Sequence, residues 1–226
     1  MNFHKYKREF ILTSDGNPTI LLPELQETYH SKKGAVAEAY HVFIDNGYHF
    51  FQDKEQLSIL EFGFGTGLNA LVTIEQCIGK EQQVKYTTIE AYPLEEKEYA
   101  SINYQQVNDS LGNDTIYKDL HTAPWNVWAE ICPNFYLKKI RNTFEDVALT
   151  DKFDLVYFDV FGYRVQPELW SEFIFKKVYQ ALNSGGILTT YACRKTIIEN
   201  MKKAGFSIEK KQGACGKREM LIGFKE

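Results

Sequence analysis

Leu57–Asn69 reads LSILEFGFGTGLN: an apolar, β-rich run that breaks at Gly63, Gly65 and Gly67 and opens into a helical pattern over Leu68–Ile78. Glycines at a strand-to-helix turn let the backbone reverse sharply and pass close to a ligand. A dinucleotide fingerprint, GxGxxG/A, needs its third small residue where this chain has Leu68, so NAD-type binding is demoted. A Walker A loop is ruled out because no Gly-Lys-Ser/Thr follows. A glycine-rich turn that binds nothing is the bland alternative.

Downstream of this turn, strands and helices alternate. Lys85–Ala91 reads as a second strand, and Pro93 starts an amphipathic helical run through Val107. Within Thr122–Arg141, VWAEI and FYLKKI flank Cys-Pro-Asn and predict a hairpin near the third strand. Phe153–Asp159 (FDLVYFD) has the near-continuous apolar character of a strand buried on both faces of a parallel sheet. Trp170–Leu182 is helical, Ile187–Ala192 a strand after Gly185-Gly186, and Thr196–Ala204 a helix. Ser207–Lys211 and Glu219–Phe224, joined by QGACGK, close the chain as a hairpin. Upstream, Val36, Ala39, Tyr40 and Phe43 mark one face of a helix over Ser31–Asn46, and Arg8–Leu25 forms a β-hairpin about Asp15-Gly16. The pattern predicts an α/β fold, a doubly wound, mainly parallel sheet with a C-terminal antiparallel hairpin and an N-terminal β-hairpin extension. It is expected to be one domain over 1–226, with residues 1–50 as the extension and 57–226 as the Rossmann-like core.

The 226 residues are 44% hydrophobic and 25% charged, which excludes disordered, collagen-like and disulfide-scaffold chains. No apolar stretch approaches the ~20 residues of a spanning helix, and MNFHKYKREFIL lacks the features of a secretory signal. Cys77, Cys132, Cys193 and Cys215 stand far apart, the spacing of reduced thiols in a cytoplasmic protein rather than of a metal site. A net charge of −4 gives no global footprint for nucleic acid, so a polyanion would need a local basic patch.

Three positions beyond the turn carry candidate chemistry. Glu90 ends the second strand, 23 residues past Gly67, where a carboxylate can accept hydrogen bonds from both ribose hydroxyls. Asp159 ends the buried strand FDLVYFD and should point into the crevice beyond the sheet. Asn142-Thr143 follow the third strand. The acidic-x-GxGxG pattern resembles motif I of the class I S-adenosylmethionine-dependent methyltransferases. That resemblance implies S-adenosyl-L-methionine bound by Glu61, Gly63, Phe64, Gly65, Thr66, Gly67, Asn69, Glu90 and Asp159, with the adenine near Asn142 and Thr143.

The stretch Asp159-Val-Phe161-Gly-Tyr-Arg-Val-Gln-Pro167-Glu-Leu-Trp170 is more specific. It resembles the Asp-Gly-Phe-Ala-Pro…Asn-Pro-x-Leu/Met-Trp signature of the methyltransferase half of the MnmC family, which serves tRNA 5-methylaminomethyl-2-thiouridine biosynthesis. Tyr29-His-Ser31…Glu38…His41-Val-Phe43, the motif EFGFGTGLN, and Gly213-x-x-Gly-Lys217-Arg218-Glu219-Met220-Leu221 agree with it in the same order. Gly162-Tyr163 stand where the family has Ala-Pro, and Val165 where it has a Lys, with Arg164 one place earlier. Ending at residue 226, the chain resembles the stand-alone form without the flavin-dependent oxidase half.

The resemblance implies methyl transfer to the exocyclic amine of 5-aminomethyl-(2-thio)uridine at wobble position 34. Asp159 then orients or deprotonates the amine, and Ser31, Glu38, Phe161, Tyr163, Arg164, Trp170, Lys217 and Arg218 contact the substrate. Trp170 reads equally well as a core anchor, and Arg218 as an ion-pair partner of Glu219. The implied partners are a tRNA anticodon stem-loop, with a functional link to a separate flavin-dependent oxidase or to aminomethyl-forming enzymes, and no membrane. Three alternatives stay open: an aminopropyltransferase, another small-molecule class I methyltransferase, and a non-catalytic cofactor- or RNA-binding module. The absence of a second Asp beside Asp159 counts against the first.

Overall fold

The computed structural model describes residues 6–112 and 115–226; the first five residues of the N-terminal run lie outside them. Three strands, β1 (Glu9–Leu12), β2 (Pro18–Leu22) and β3 (Glu27–Thr28), form a small antiparallel sheet. The predicted hairpin is its first two strands; two residues are too short to give β3 a sequence pattern of its own. Helix α1 (Ala35–Ala39) follows and runs into a π-helical segment, Tyr40–Asp45. The predicted helix over Ser31–Asn46 therefore starts four residues late, and the Ser31 N–H is met by Glu38 Oε2 at 2.8 Å instead of by a helix.

The main sheet comprises β4 (Gln56–Phe62), β5 (Gln83–Ile89), β6 (Trp128–Cys132), β7 (Phe135–Ile140), β8 (Phe153–Phe158), β9 (Leu182–Thr190), β10 (Ser207–Gln212) and β11 (Glu219–Phe224), in the order β10-β11-β9-β8-β4-β5-β7-β6. Pairs β4–β5, β4–β8, β5–β7 and β8–β9 are parallel; β6–β7, β9–β11 and β10–β11 are antiparallel. The second strand of the predicted Thr122–Arg141 hairpin is thus itself the third parallel strand. Every residue of β8 is buried, as its unbroken apolar run requires.

Helices α2 (Leu68–Cys77), α3 (Glu96–Tyr99), α4 (Gln105–Leu111) and α5 (Ile116–Thr122) precede the β6–β7 hairpin, while α6 (Glu172–Ala181) and α7 (Lys195–Ala204) belong to the C-terminal half. Leu68, Val107 and Ile116 pack into one core with Val36 and Phe43, and Phe175, Val178 and Met201 into another, so the sheet is covered on both faces. The amphipathic run predicted from Pro93 through Val107 is two helices rather than one. Ile102 and Tyr104 are both buried with exposed Asn103 between them, the alternation of extended backbone, and this interrupts the helix.

Among the described residues, no helix is long and apolar enough to cross a membrane, and all four cysteines are free thiols.

Candidate active site

Strand β4 sits between β5 and β8, and the chain leaves it toward β5 and returns on the other side at β8. Such a reversal opens a crevice at the carboxyl ends of the strands. Here it widens into a cavity of about 470 Å³ whose far wall is Glu27–Ser31, contributed by the N-terminal extension. That volume is within the roughly 300–1,000 Å³ of small-molecule sites.

The glycine turn forms the floor. Gly63 has φ +95°, and a Cβ there would lie 2.7 Å from the Asp159 carbonyl oxygen. Only glycine allows the ends of β4 and β8 to come this close. Gly65, at φ +51°, lies against the ring of Tyr29, 3.3 Å from where its own Cβ would be. Thr66 anchors the turn from behind. Its hydroxyl accepts from Tyr104 (2.8 Å), its carbonyl accepts from Tyr117 (3.1 Å), and His121 Nε2 stands 3.0 Å from that same carbonyl. Burial pushes the His121 pKa down to about 4, so a neutral ring with its proton on Nε2 fits the carbonyl.

Glu90 faces this turn. One carboxylate oxygen accepts from Gly65 N–H (3.0 Å) and the other from Tyr92 N–H (2.7 Å), which fixes its plane at the cavity edge. At the other end, Asp159 Oδ2 accepts from Asn69 Nδ2 at 2.8 Å. Burial lifts the Asp159 pKa to about 7, with the Asn69 hydrogen bond opposing, nearby Glu38 adding and Lys217 opposing. Glu38 forms an ion pair with Lys217, whose ammonium lies 4.3 Å from the centroid of the Tyr191 ring. Tyr29 and Phe161 meet edge to face at 5.2 Å.

Of the residues singled out from sequence, Gly63, Phe64, Gly65, Thr66, Asn69, Glu90, Thr143, Asp159, Ser31, Glu38, Phe161 and Lys217 line this one cavity. The others do not. Glu61 is fully buried beneath the turn, and neither of its carboxylate oxygens has a hydrogen-bond partner among the described residues. Burial raises its pKa to about 8, with the Thr88 hydroxyl opposing, the charge of Asp159 adding, and the nearby Asn69 and Tyr86 side chains opposing. Gly67 starts α2 behind the wall, and Asn142 uses its side-chain oxygen to accept from Thr143 N–H (2.8 Å). Tyr163 stacks under Arg194, and Arg164 donates to the carbonyls of Leu25 (2.8 Å) and Gln26 (3.1 Å), tying the loop after β8 to the extension. Arg218 is exposed, and Glu219 pairs with Lys210 (3.1 Å) instead.

Trp170 is a core anchor: fully buried, edge-on to Phe158, with Nε1 donating to Phe161 O at 2.9 Å. Trp170→Phe should lower unfolding free energy by about 1–3 kcal/mol, the scale of leaving that carbonyl unmet, as read by urea denaturation.

Tyr29, His30, Tyr92, Gln166 and Tyr191 also line the cavity and were not identified as site residues from sequence. Tyr191 had a readable signal. It follows β9 as Asp159 follows β8, at a strand's carboxyl end.

A family described as S-adenosyl-L-methionine-dependent methyltransferase matches residues 97–226, more than half of the chain. The chain belongs to this family. The methyltransferase is 27% identical over 240 residues to the tRNA 5-methylaminomethyl-2-thiouridine biosynthesis bifunctional protein MnmC of Actinobacillus pleuropneumoniae serotype 5b, covering 95% of this chain and 35% of that protein. Against the MnmC of Cupriavidus metallidurans the identity is 28% over 235 residues, covering 95% and 33%. The methyltransferase thus spans about a third of the length of these curated relatives. Its fold is that of MnmC2 from Aquifex aeolicus (TM-score 0.77, 21% identity, 99% of this chain and 72% of that one). A spermidine synthase from Thermotoga maritima shares the architecture more distantly (TM-score 0.51, 11% identity, 98% and 79%). The resemblances read from EFGFGTGLN and from Asp159–Trp170 are borne out at the level of family, cofactor and fold.

Proposed function

We propose that this methyltransferase N-methylates the aminomethyl group of 5-aminomethyl-(2-thio)uridine at the wobble position of tRNA, giving 5-methylaminomethyl-(2-thio)uridine. One observation carries the reading: Asp159, a carboxyl group with a pKa near neutrality, faces the same cavity as the glycine turn, Glu90 and the Glu38–Lys217 pair. The names of the curated relatives support the tRNA nucleoside as substrate.

The residues present fit the cofactor. Gly63 and Gly65 line the cavity with bare backbone, a Cβ at Gly65 would take up space toward Tyr29, and Glu90 is held by two backbone N–H groups with its oxygens at the cavity edge. S-adenosyl-L-methionine supplies a methyl group on a positively charged sulfur. Gly63, Phe64, Gly65 and Thr66 would hold its amino-acid end, Glu90 its ribose hydroxyls, and Thr143 with Phe144 its base. Glu61 lies buried below the turn and outside the cavity lining.

An ammonium has no lone pair, so the acceptor must arrive as the neutral amine. Asp159 accepts or orients its N–H, and Asn69 keeps that carboxylate turned toward the cavity. After transfer the new ammonium sheds its proton to Asp159 or to water. Glu38 and Lys217 mark the acceptor end, where Ser31 holds Glu38 in place through its N–H. Phe161 and Tyr29 offer aromatic faces to a base drawn out of the anticodon loop. Lys202 and Lys203, exposed at the end of α7, offer contacts to phosphates of the anticodon stem-loop. Residues 1–226 act as one methyltransferase domain in the cytoplasm, and a separate flavin-dependent oxidase or other aminomethyl-forming enzyme supplies the amine.

Glu90→Ala should weaken cofactor binding about 10- to 100-fold, the loss of hydrogen bonds to a charged group, measured by isothermal titration. An affinity within twofold of wild type would place Glu90 outside the cofactor site. The reaction itself is tested by nucleoside mass spectrometry of tRNA from a deletion strain, where 5-aminomethyl-2-thiouridine should accumulate. Tighter binding of decarboxylated cofactor would favour aminopropyl transfer. Salt-dependent tRNA binding without turnover would favour a non-catalytic module.

A further inference from the structure

We propose that Arg8, outside the cavity and directly before β1, is a positioning residue for the carboxylate of Glu90. Its guanidinium is nearly enclosed, with 8% of the side chain exposed. Nη2 donates to the Tyr92 carbonyl at 2.9 Å, and Nη1 to Glu98 Oε2 at 2.8 Å. Glu98, itself 13% exposed, also accepts the Glu95 N–H at 2.7 Å, so it is fixed to the start of α3. Tyr92 is therefore held at both ends of its backbone: the carbonyl by Arg8 and the N–H by Glu90 Oε1. The other Glu90 oxygen is held by Gly65 N–H, the residue whose open face rests on Tyr29. Burial pushes the Tyr29 hydroxyl's pKa up, with Arg8 opposing the rise and the charges of Glu90 and Glu98 adding to it.

A buried ion pair is a poor way to gain stability, because desolvation offsets much of the Coulomb attraction. Arg8 carries a further cost, since its Nε is buried with no hydrogen-bond partner among the described residues. What the residue does supply is geometry. It spans from the N-terminal extension to the loop after β5 and sets the peptide that orients Glu90. A carboxylate reaching two ribose hydroxyls must lie in one plane, and small displacements of such a group are costly to binding.

The inference rests on Glu90 as the ribose ligand, and the test separates the two. S-adenosyl-L-homocysteine is titrated calorimetrically into full-length wild type, Arg8→Gln, Glu90→Ala and the double variant, with thermal melts confirming folding. Arg8→Gln should weaken binding about tenfold, and its effect should vanish in the Glu90→Ala background, because a residue acting through Glu90 has nothing left to position. Arg8→Lys, which keeps the charge and one donor, should recover part of the affinity. If Arg8→Gln fails to fold, Glu98→Gln replaces it, with a loss of about threefold that likewise disappears when Glu90 is absent. Additive losses, or an Arg8→Gln affinity within twofold of wild type beside a weakened Glu90→Ala, overturn the positioning role alone. Unchanged affinity in Glu90→Ala overturns the ribose assignment and the positioning role with it.

Discussion

Asp159→Asn is expected to lower kcat at least 100-fold while leaving cofactor affinity within a few-fold of wild type. The scale is that of a positioned acid–base group, and Asn keeps the shape and the neighbourly contact with Asn69 while removing the ability to take a proton. With its pKa raised to about 7, Asp159 is protonated below neutrality and becomes an acceptor above it. Wild-type kcat should therefore rise with pH through about 7, and the Asn variant should lose that inflection. The deficit should be widest just above pH 7 and narrow again only above the pKa of the amine itself, where the free amine is already neutral. A variant that loses cofactor binding and turns over normally at saturating cofactor would make Asp159 a binding residue only.

The same shift has a sign for stability. Asp159 and Glu61, with pKa values lifted to about 7 and about 8, hold protons more tightly folded than unfolded. Their contribution is full below about pH 4, the unfolded carboxylate range, and is lost as pH rises toward 7 and 8. Thermal melts of Asp159→Asn and Glu61→Gln should fall less steeply over that window than those of wild type.

Gly65→Val should abolish measurable cofactor binding in a protein that still folds. At φ +51° a β-branched residue is strained, and its side chain would press on Tyr29 from 3.3 Å while filling the space above the turn. The strain also disturbs the Gly65 N–H that fixes Glu90. The neighbour is a side chain that can move, so the fold survives. At Gly63 the obstacle is the Asp159 backbone at 2.7 Å, where the same substitution would damage sheet and site together. Titration calorimetry with a folded Gly65→Val protein decides it; retained affinity removes the turn from the site.

The parts of the fold that were legible in sequence are those in which one physical signal dominates. The apolar run of β8 announced a strand covered on both faces, and the glycine triplet announced the turn after β4. Where tertiary packing competed with local pattern the reading slipped. The Pro93–Val107 run looked helical, yet Ile102 and Tyr104 both enter the core and force extended backbone between two short helices. In the cavity, residues at strand ends (Glu90 and Asp159) could be placed because topology fixes where strand ends lie. Tyr163 and Arg164 could not, because in a loop the direction of each side chain depends on partners remote in sequence, Arg194 and Leu25 respectively. Trp170 was legible as either a substrate contact or a core anchor, and its burial and its bond to the Phe161 carbonyl make it the anchor. Arg8 gave no local signal at all, since its role exists only through contacts 84 and 90 residues away.

The two ends of the polypeptide meet across the cavity: Lys217 reaches Glu38, and the carbonyl of Gln212 meets His41, pairs separated by 179 and 171 positions. During synthesis the glycine turn, Glu90 and Asp159 emerge well before the hairpin that carries Lys217. A nascent chain can therefore bring the glycine turn, Glu90 and Asp159 together while the cavity still lacks Lys217. Loop-closure entropy must be met before contacts so distant in sequence reward it, so β10–β11 is expected to dock against β9 and the extension last. Until that step the cavity lacks Lys217, and Glu38 lacks its ion-pair partner.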